Sequence, residues 1–228
     1  MSNRYSCVLF DLDGTVIDTV HDCATAVNLT MSDFGFPTHT DEEVRSYLNN
    51  GARRLIARAL PEVYAEDEEL IDRVLSCYID HYTDHCTDTS TVYDGVLPLL
   101  SSLHDEGVSL GLVTNKPDVQ TQIMAPYYFG DLFSYREGNR PGVPPKPDRC
   151  RVLSALAALG KRPEETLFVG DSHVDVKTAE NGGVDCCVVS WGFAGEKTLR
   201  ERGGYTYLIR RAEELLPIVH GEVSGCRY

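Results

Sequence analysis

Cys7-Val8-Leu9-Phe10-Asp11-Leu12-Asp13-Gly14-Thr15 runs from an apolar stretch into two carboxylates, a glycine and a threonine within five residues. Val8-Leu9-Phe10 suits a buried strand, and in open α/β sheets ligands gather beyond the carboxyl ends of the strands. Asp11 and Asp13 leave an extended chain on the same side, where they repel unless a cation or a substrate group joins them. Magnesium is the natural partner of such a pair. Taken alone, the same residues also fit an Asp-Gly turn between two strands, so the rest of the chain decides.

Outward from this segment the texture changes twice. Between residues 18 and 90 the apolar positions recur at three and four residue steps, as in Leu55-Ile56-Ala59-Leu60 and Leu70-Ile71-Val74-Leu75-Tyr78, which predicts helices. Gly35, Pro37, Gly51 and Pro61 punctuate this block into about four helices, with Asp41 as an N-cap. After Tyr93-Asp94-Gly95, strand candidates at 108–113, 166–169, 184–189 and 205–209 alternate with amphipathic helices such as 96–104 and 150–159. That alternation predicts an α/β fold, a doubly wound parallel sheet of Rossmann type, carrying an all-helical insertion. The expected division is a core of residues 1–17 and 91–228 and a helical cap of residues 18–90. The stretch 137–148 reads as a Gly and Pro rich loop, and residues 222–228 as a frayed end.

The composition narrows the partners. A net charge of −14 over 228 residues disfavours general binding to nucleic acid or to an anionic membrane, so an anionic substrate must meet local cations. Eight cysteines without a CxxC or CxxH pair read as reduced, mostly buried thiols. Without a basic-then-apolar leader or a long apolar run, the expectation is a cytoplasmic protein, monomer or homodimer, with no nucleic acid and no membrane among its partners.

Three further strand ends carry polar residues. Leu112-Val113-Thr114-Asn115-Lys116 closes a strand with a hydroxyl, an amide and a cation, where the threonine hydroxyl and free backbone amides donate to phosphate oxygens or cap a helix. Pro144-Pro145-Lys146-Pro147 holds a lysine in a rigid extended context, where it acts as a fixed point charge. Phe168-Val169-Gly170-Asp171-Ser172-His173-Val174-Asp175 ends a buried strand in an aspartate and sets a second one at the start of a helix. Asp171 is thus a hard oxygen ligand in reach of Asp11 and Asp13, and Asp175 positions its neighbours.

In order and over nearly the whole chain, these segments resemble the four signature motifs of the haloacid dehalogenase superfamily, and within it the phosphoglycolate phosphatases. Asp11-Leu12-Asp13-Gly14-Thr15 matches the first motif, Thr114 the second, Lys146 the third, and Gly170-Asp171 with Asp175 the fourth. The resemblance implies that Asp11 is a nucleophile and Asp13 a general acid and base. It further implies that magnesium is held by Asp11, Asp13 through its backbone carbonyl, and Asp171. Thr114, Asn115 and Lys146 would bind phosphate, Lys146 also serving catalysis, with Thr15, Ser172 and Asp175 in support. Where relatives commonly have a proline after the Lys-Pro pair, this chain has Asp148-Arg149, a local change of loop geometry.

The implied activity is magnesium-dependent hydrolysis of a small phosphorylated metabolite, phosphoglycolate first. An inorganic pyrophosphatase or a β-phosphoglucomutase would use nearly the same residues, although Thr15 favours the phosphatases. A phospho-acceptor signalling domain fits less well, since its acceptor aspartate follows a later strand. The expected reader of the leaving group is Asn50-Gly51-Ala52-Arg53-Arg54, where the glycine permits a turn and an arginine meets a carboxylate. His81 and His85 have the spacing of a helical metal pair but lack the Glu of HExxH, and read as an exposed helix end. Trp191 and Phe193 are expected to pack beside the site.

Overall fold

The computed structural model describes residues 3–223 and 225. Its main sheet has six parallel strands: β1 (Cys7–Phe10), β4 (Ser109–Pro117), β5 (Tyr135–Asn139), β6 (Thr166–Gly170), β7 (Asp185–Val189) and β8 (Tyr207–Ile209). Their order in space is β5-β4-β1-β6-β7-β8. β1 is therefore central, with β4 in register on one side and β6 on the other. Strand order reverses at β1, and such a switch point is where open α/β sheets bind ligands.

Alternation along β1 assigns its side chains to two cores. Val8 and Phe10 join the layer of α5 (Val96–Asp105), α6 (Asp118–Phe129) and α10 (Leu215–His220). Cys7 and Leu9 join the layer of α7 (Cys150–Leu159), α8 (His173–Gly182) and α9 (Gly195–Arg202). Burial of each Val, Leu or Phe contributes about 1.5–3 kcal/mol, so a run apolar on both faces is held in the centre of the sheet.

Between β1 and β4 the chain makes a two-stranded antiparallel ribbon, β2 (Ile17–Asp18) with β3 (Thr91–Val92). The ribbon brackets α1 (Val20–Asp33), α2 (Asp41–Tyr47), α3 (Ala52–Ala59) and α4 (Glu68–His85). Both ends of the helical insertion thus lie side by side, immediately beyond the Asp11 strand. Asp22 of α1 tightens this junction. Its buried carboxylate accepts hydrogen bonds from the Ser90 amide at 2.8 Å, the Thr89 amide at 3.0 Å and both side-chain hydroxyls.

Several boundaries differ from the sequence expectation. Thr40, not Asp41, caps α2, in a reciprocal capping box with Glu43; Asp41 is the first helical residue and contributes its charge to the first turn. β4 continues through Asn115 and Lys116 to Pro117, so those side chains are set by strand geometry. β5 covers part of the stretch read as a loop. Its Tyr-Arg-Glu-Gly-Asn sequence lacks the apolar alternation of a strand, and pairing with β4 supplies what propensity does not. Of the end read as frayed, residues 224 and 226–228 lie outside the described residues. Among the described residues no helix is long and apolar enough to cross a membrane.

Asp22→Ala leaves two backbone amides and two hydroxyls without their acceptor. It should destabilise the protein by about 2–4 kcal/mol in urea unfolding; a loss under about 1 kcal/mol would show that the junction is held elsewhere.

Candidate active site

Four strand ends deliver their side chains to one place. Asp11 follows β1, Thr114 and Lys116 lie on the last turns of β4, Lys146 follows β5, and Asp171 follows β6. Asp11, Asp13, Thr114, Asn115, Lys116, Lys146, Ser172 and Asp175 line one cavity of about 50 Å³, roofed by Leu48, Gly51, Leu55, Tyr78 and Tyr82 of the insertion. A water needs roughly 10–15 Å³ on this measure, so the cavity suits a group of phosphate size.

Its electrostatic centre is Lys146. The buried ammonium lies 2.9 Å from Asp11 Oδ1 and 2.7 Å from Asp175 Oδ1. Burial works against its charge, yet Asp11 and Asp175 together hold it above its ordinary range. Burial is also the largest influence on Asp11, pushing its carboxyl up to about 6 against the pull of Lys146. The Lys146 backbone is fixed by Asn115, whose amide donates to the Lys146 carbonyl at 3.0 Å and accepts from its N–H at 2.8 Å.

Asp11, Asp171 and Asp175 bring one carboxylate oxygen each to within 4.8 Å of one another, all buried. Three carboxylates against one ammonium leave two negative charges, and burial with the neighbouring carboxylates raises Asp171 well above the usual range. Asp171 Oδ2 accepts from the Phe193 amide at 2.6 Å, while its Oδ1 is buried without a partner. An orphaned buried oxygen in a set of hard donors fits a divalent cation such as magnesium. Gly14 and Gly170 are required for this packing. Gly14 has φ +78° and its missing Cβ would strike Asp171, and a Cβ on Gly170 would strike Asp175.

The carboxylate of Asp13 faces elsewhere. Its Oδ1 accepts from Thr19 Oγ1 at 2.7 Å and from Lys116 Nζ at 2.8 Å, leaving Oδ2 available for proton exchange. Lys116 is buried, and although burial opposes its charge, Asp13 keeps it raised. Its Nζ also donates to the Tyr82 hydroxyl of α4.

Two residues central to this geometry carry no role in the sequence reading. Lys116 is present in the quoted strand end but is assigned no function there, because its pairing with Asp13 spans 103 positions. Arg151 is fully buried and donates to the carbonyls of Pro144 at 2.9 Å, Thr114 at 3.0 Å and Gly138 at 2.8 Å, and to Asn139 Oδ1 at 2.7 Å. It therefore ties the Lys146 loop to β4 and β5. No local pattern announces such a residue; an arginine in an otherwise apolar helical stripe, Val152-Ala155-Leu156, is the available signal.

The expected leaving-group reader is only partly assembled. Gly51 lines the cavity, but Arg53 is engaged by Glu68 and Asp72 on the outer side of α4. Arg54 is exposed, 3.5 Å from Asn50. Neither arginine reaches the cavity, because helical phase turns them outward from Ala52 and Leu55. Asn50 instead lines a second cavity of about 300 Å³ with Arg45, Arg58, His173, Phe193 and Arg202. The two cavities share Leu48, Asn49, Ser172 and Val174. Thr15 is buried outside both, its carbonyl accepting from Trp191 Nε1 at 3.1 Å. Ser172 donates to Asp175 Oδ2 from both its amide and its hydroxyl.

A cluster of buried carboxylates and lysines at the strand ends around a phosphate-sized cavity has counterparts in known proteins. The family model of haloacid dehalogenase-like hydrolases matches residues 8–189, and the chain belongs to that family. It is 36% identical to phosphoglycolate phosphatase 1 of Pseudomonas aeruginosa over 92% of this chain and 78% of the relative. It is also 28% identical to N-acetylmuramic acid 6-phosphate phosphatase of the same organism, over 98% of each chain. A solved structure from Lactobacillus delbrueckii subsp. bulgaricus, provisionally described as a phosphoglycolate phosphatase, superposes with a TM-score of 0.88. It is 28% identical, over 96% of this chain and 99% of the other.

Arg151→Met removes four donated bonds at once, one to the Lys146 loop and three to β4 and β5. It should lower the affinity for inorganic phosphate, measured calorimetrically, at least about tenfold and cost about 3 kcal/mol of stability. Unchanged phosphate binding would mean that the loop holds its shape unaided.

Proposed function

We infer that this phosphatase hydrolyses a small, carboxylate-bearing phosphate monoester, with phosphoglycolate the leading candidate, through a phosphorylated Asp11. The observation that carries this reading is the Lys146 ammonium between Asp11 and Asp175 at the wall of a phosphate-sized cavity. The names of the relatives support the substrate. Residues 18–90 act in this reading as a cap over a core of residues 1–17 and 91–228.

An Asp11 oxygen attacks phosphorus while the bond to the leaving oxygen breaks, and Asp13 gives that oxygen its proton. Asp13 then takes a proton from water, whose oxygen displaces Asp11 and releases inorganic phosphate. Lys116 and Thr19 hold Asp13 in one orientation through both halves. Thr114 and Lys146 meet the phosphoryl oxygens, and Lys146 offsets the repulsion between Asp11 and an incoming anion. Asp11, Asp171 and the Asp13 carbonyl would hold magnesium, with Asp175, whose two oxygens are taken by Lys146 and Ser172, close by in support. When bound, the ion supplies further neutralisation of the charge that develops on the phosphoryl group. Asn115 contributes through Lys146, whose backbone its side-chain amide fixes, rather than by meeting the phosphate itself.

The second cavity favours one further reading of the leaving group. Glycolate has no need of about 300 Å³, whereas a sugar acid would fill part of it, as the likeness to an N-acetylmuramic acid 6-phosphate phosphatase also suggests. Arg45, Arg58 and Arg202 replace Arg53 and Arg54 as the side chains placed to meet its carboxylate.

Phosphate release should therefore be fastest from phosphoglycolate or a phosphorylated sugar acid, stop on chelation and return with magnesium. Asp11→Asn should lose activity about a thousandfold with its fold intact by circular dichroism; retention within about tenfold would overturn the covalent route. Arg202→Ala should raise KM about tenfold for carboxylate-bearing substrates and leave p-nitrophenyl phosphate within about twofold. Equal losses on both would remove the second cavity from substrate recognition.

A further inference from the structure

On the face of α4 next to the one that roofs the catalytic cavity, three donors of different kinds converge. Cys77 and His81 are four residues apart on α4, so they project from one face one turn apart. Asp33, the last residue of α1, meets both: its Oδ2 lies 2.7 Å from His81 Nε2 and 3.6 Å from Cys77 Sγ. The three ligand atoms all fall within 4.8 Å of one another.

We propose that Asp33, Cys77 and His81 form a binding site for a zinc-like transition metal ion that braces α1 against α4. Zinc bonds to sulfur, imidazole and carboxylate oxygen run about 2.0–2.3 Å, which places donors of one tetrahedron roughly 3.3–3.7 Å apart. The Cys77–Asp33 separation already meets that requirement; opening the His81–Asp33 contact by less than 1 Å and bringing Cys77 Sγ and His81 Nε2, at most 4.8 Å apart, to that spacing completes it. Water takes the fourth position. The nitrogen, sulfur and oxygen set selects zinc over magnesium, which prefers six hard oxygens. It is thereby chemically distinct from the all-carboxylate cluster at Asp11. His81 and His85, four residues apart, do not act as a pair, since His85 turns to Asp88 at 2.8 Å. The cation that lies nearest in sequence on α4, Arg73, is drawn over the Phe34 ring, leaving Asp33 to His81 and Cys77.

The site is open to solvent, with the Asp33 and His81 side chains 56% and 28% exposed. Binding displaces the Cys77 thiol proton to solvent and takes neutral His81 through Nε2, with no change of oxidation state. The neighbours of these two ligands on α4, Tyr78 and Tyr82, line the catalytic cavity. A metal on the adjacent face thus fixes the helix that roofs the cavity, independently of the hydrolytic reading.

The test is cobalt titration of the full-length, metal-stripped protein, kept reduced and supplied with excess magnesium. One equivalent should give a thiolate-to-cobalt absorption in the near ultraviolet and visible bands of tetrahedral intensity, both displaced by zinc. Cys77→Ser should abolish the ultraviolet band, and His81→Ala should weaken cobalt at least tenfold, each with magnesium-dependent phosphate release unchanged. Zinc should raise Tm in the parent protein and not in Cys77→Ser. Absence of the charge-transfer band, or its survival in Cys77→Ser, overturns the proposal.

Discussion

The arrangement rests on a single ammonium taken out of water between two buried carboxylates. At an effective dielectric near 20, two unit charges 4 Å apart attract by about 4 kcal/mol, while removing each ion from water costs several. Lys146 between Asp11 and Asp175 is therefore no great source of stability. What it fixes is position: with Asp171 close by, the three carboxylates could not share so small a volume without it. The charge left over is negative, and it is the same remainder that makes the cluster suited to a divalent ion.

Holding that ammonium falls to two residues that grip its loop. Asn115 grips the Lys146 backbone from both sides, and Arg151 gathers the carbonyls of the Lys146 loop, β4 and β5 onto one guanidinium. Both are rigid, multi-point contacts, which position a side chain more sharply than a single hydrogen bond. The sheet does the rest. Because β1 lies where strand order reverses, the loops after β1, β4 and β6 splay around one point instead of lining up along an edge.

Much of this was legible in the sequence because it is local. A strand that ends in Asp11, another in Thr114 and a third in Gly170-Asp171 each carry their chemistry within a few residues of an apolar run, and strand direction then places it. The helical insertion was legible from periodicity, and its entry point from the position of Asp11. What escaped was what the chain builds at long range. β5 is polar in composition and becomes a strand by pairing with β4. Lys116 and Arg151 read as ordinary cations until the fold buries them. Arg53 and Arg54 follow a helix whose phase one sequence does not fix, and α4 draws Arg53 away with Glu68 and Asp72.

The same long-range contacts join the insertion to Asp13. Lys116 bonds both Asp13 of the core and Tyr82 of α4, and Gln120 of α6 donates to the Ile79 carbonyl and Thr83 Oγ1 of that helix. Separating α4 from the core therefore strips a partner from a buried ammonium whose other partner is the Asp13 carboxylate. In the open arrangement water replaces the Tyr82 hydroxyl, so the docked one is favoured by the net worth of a hydrogen bond to a charged group, about 1.5–3 kcal/mol. Docking of the helix and alignment of Asp13 are in this way one event: the residue that orients the carboxylate is fully coordinated only when the roof of the cavity is seated.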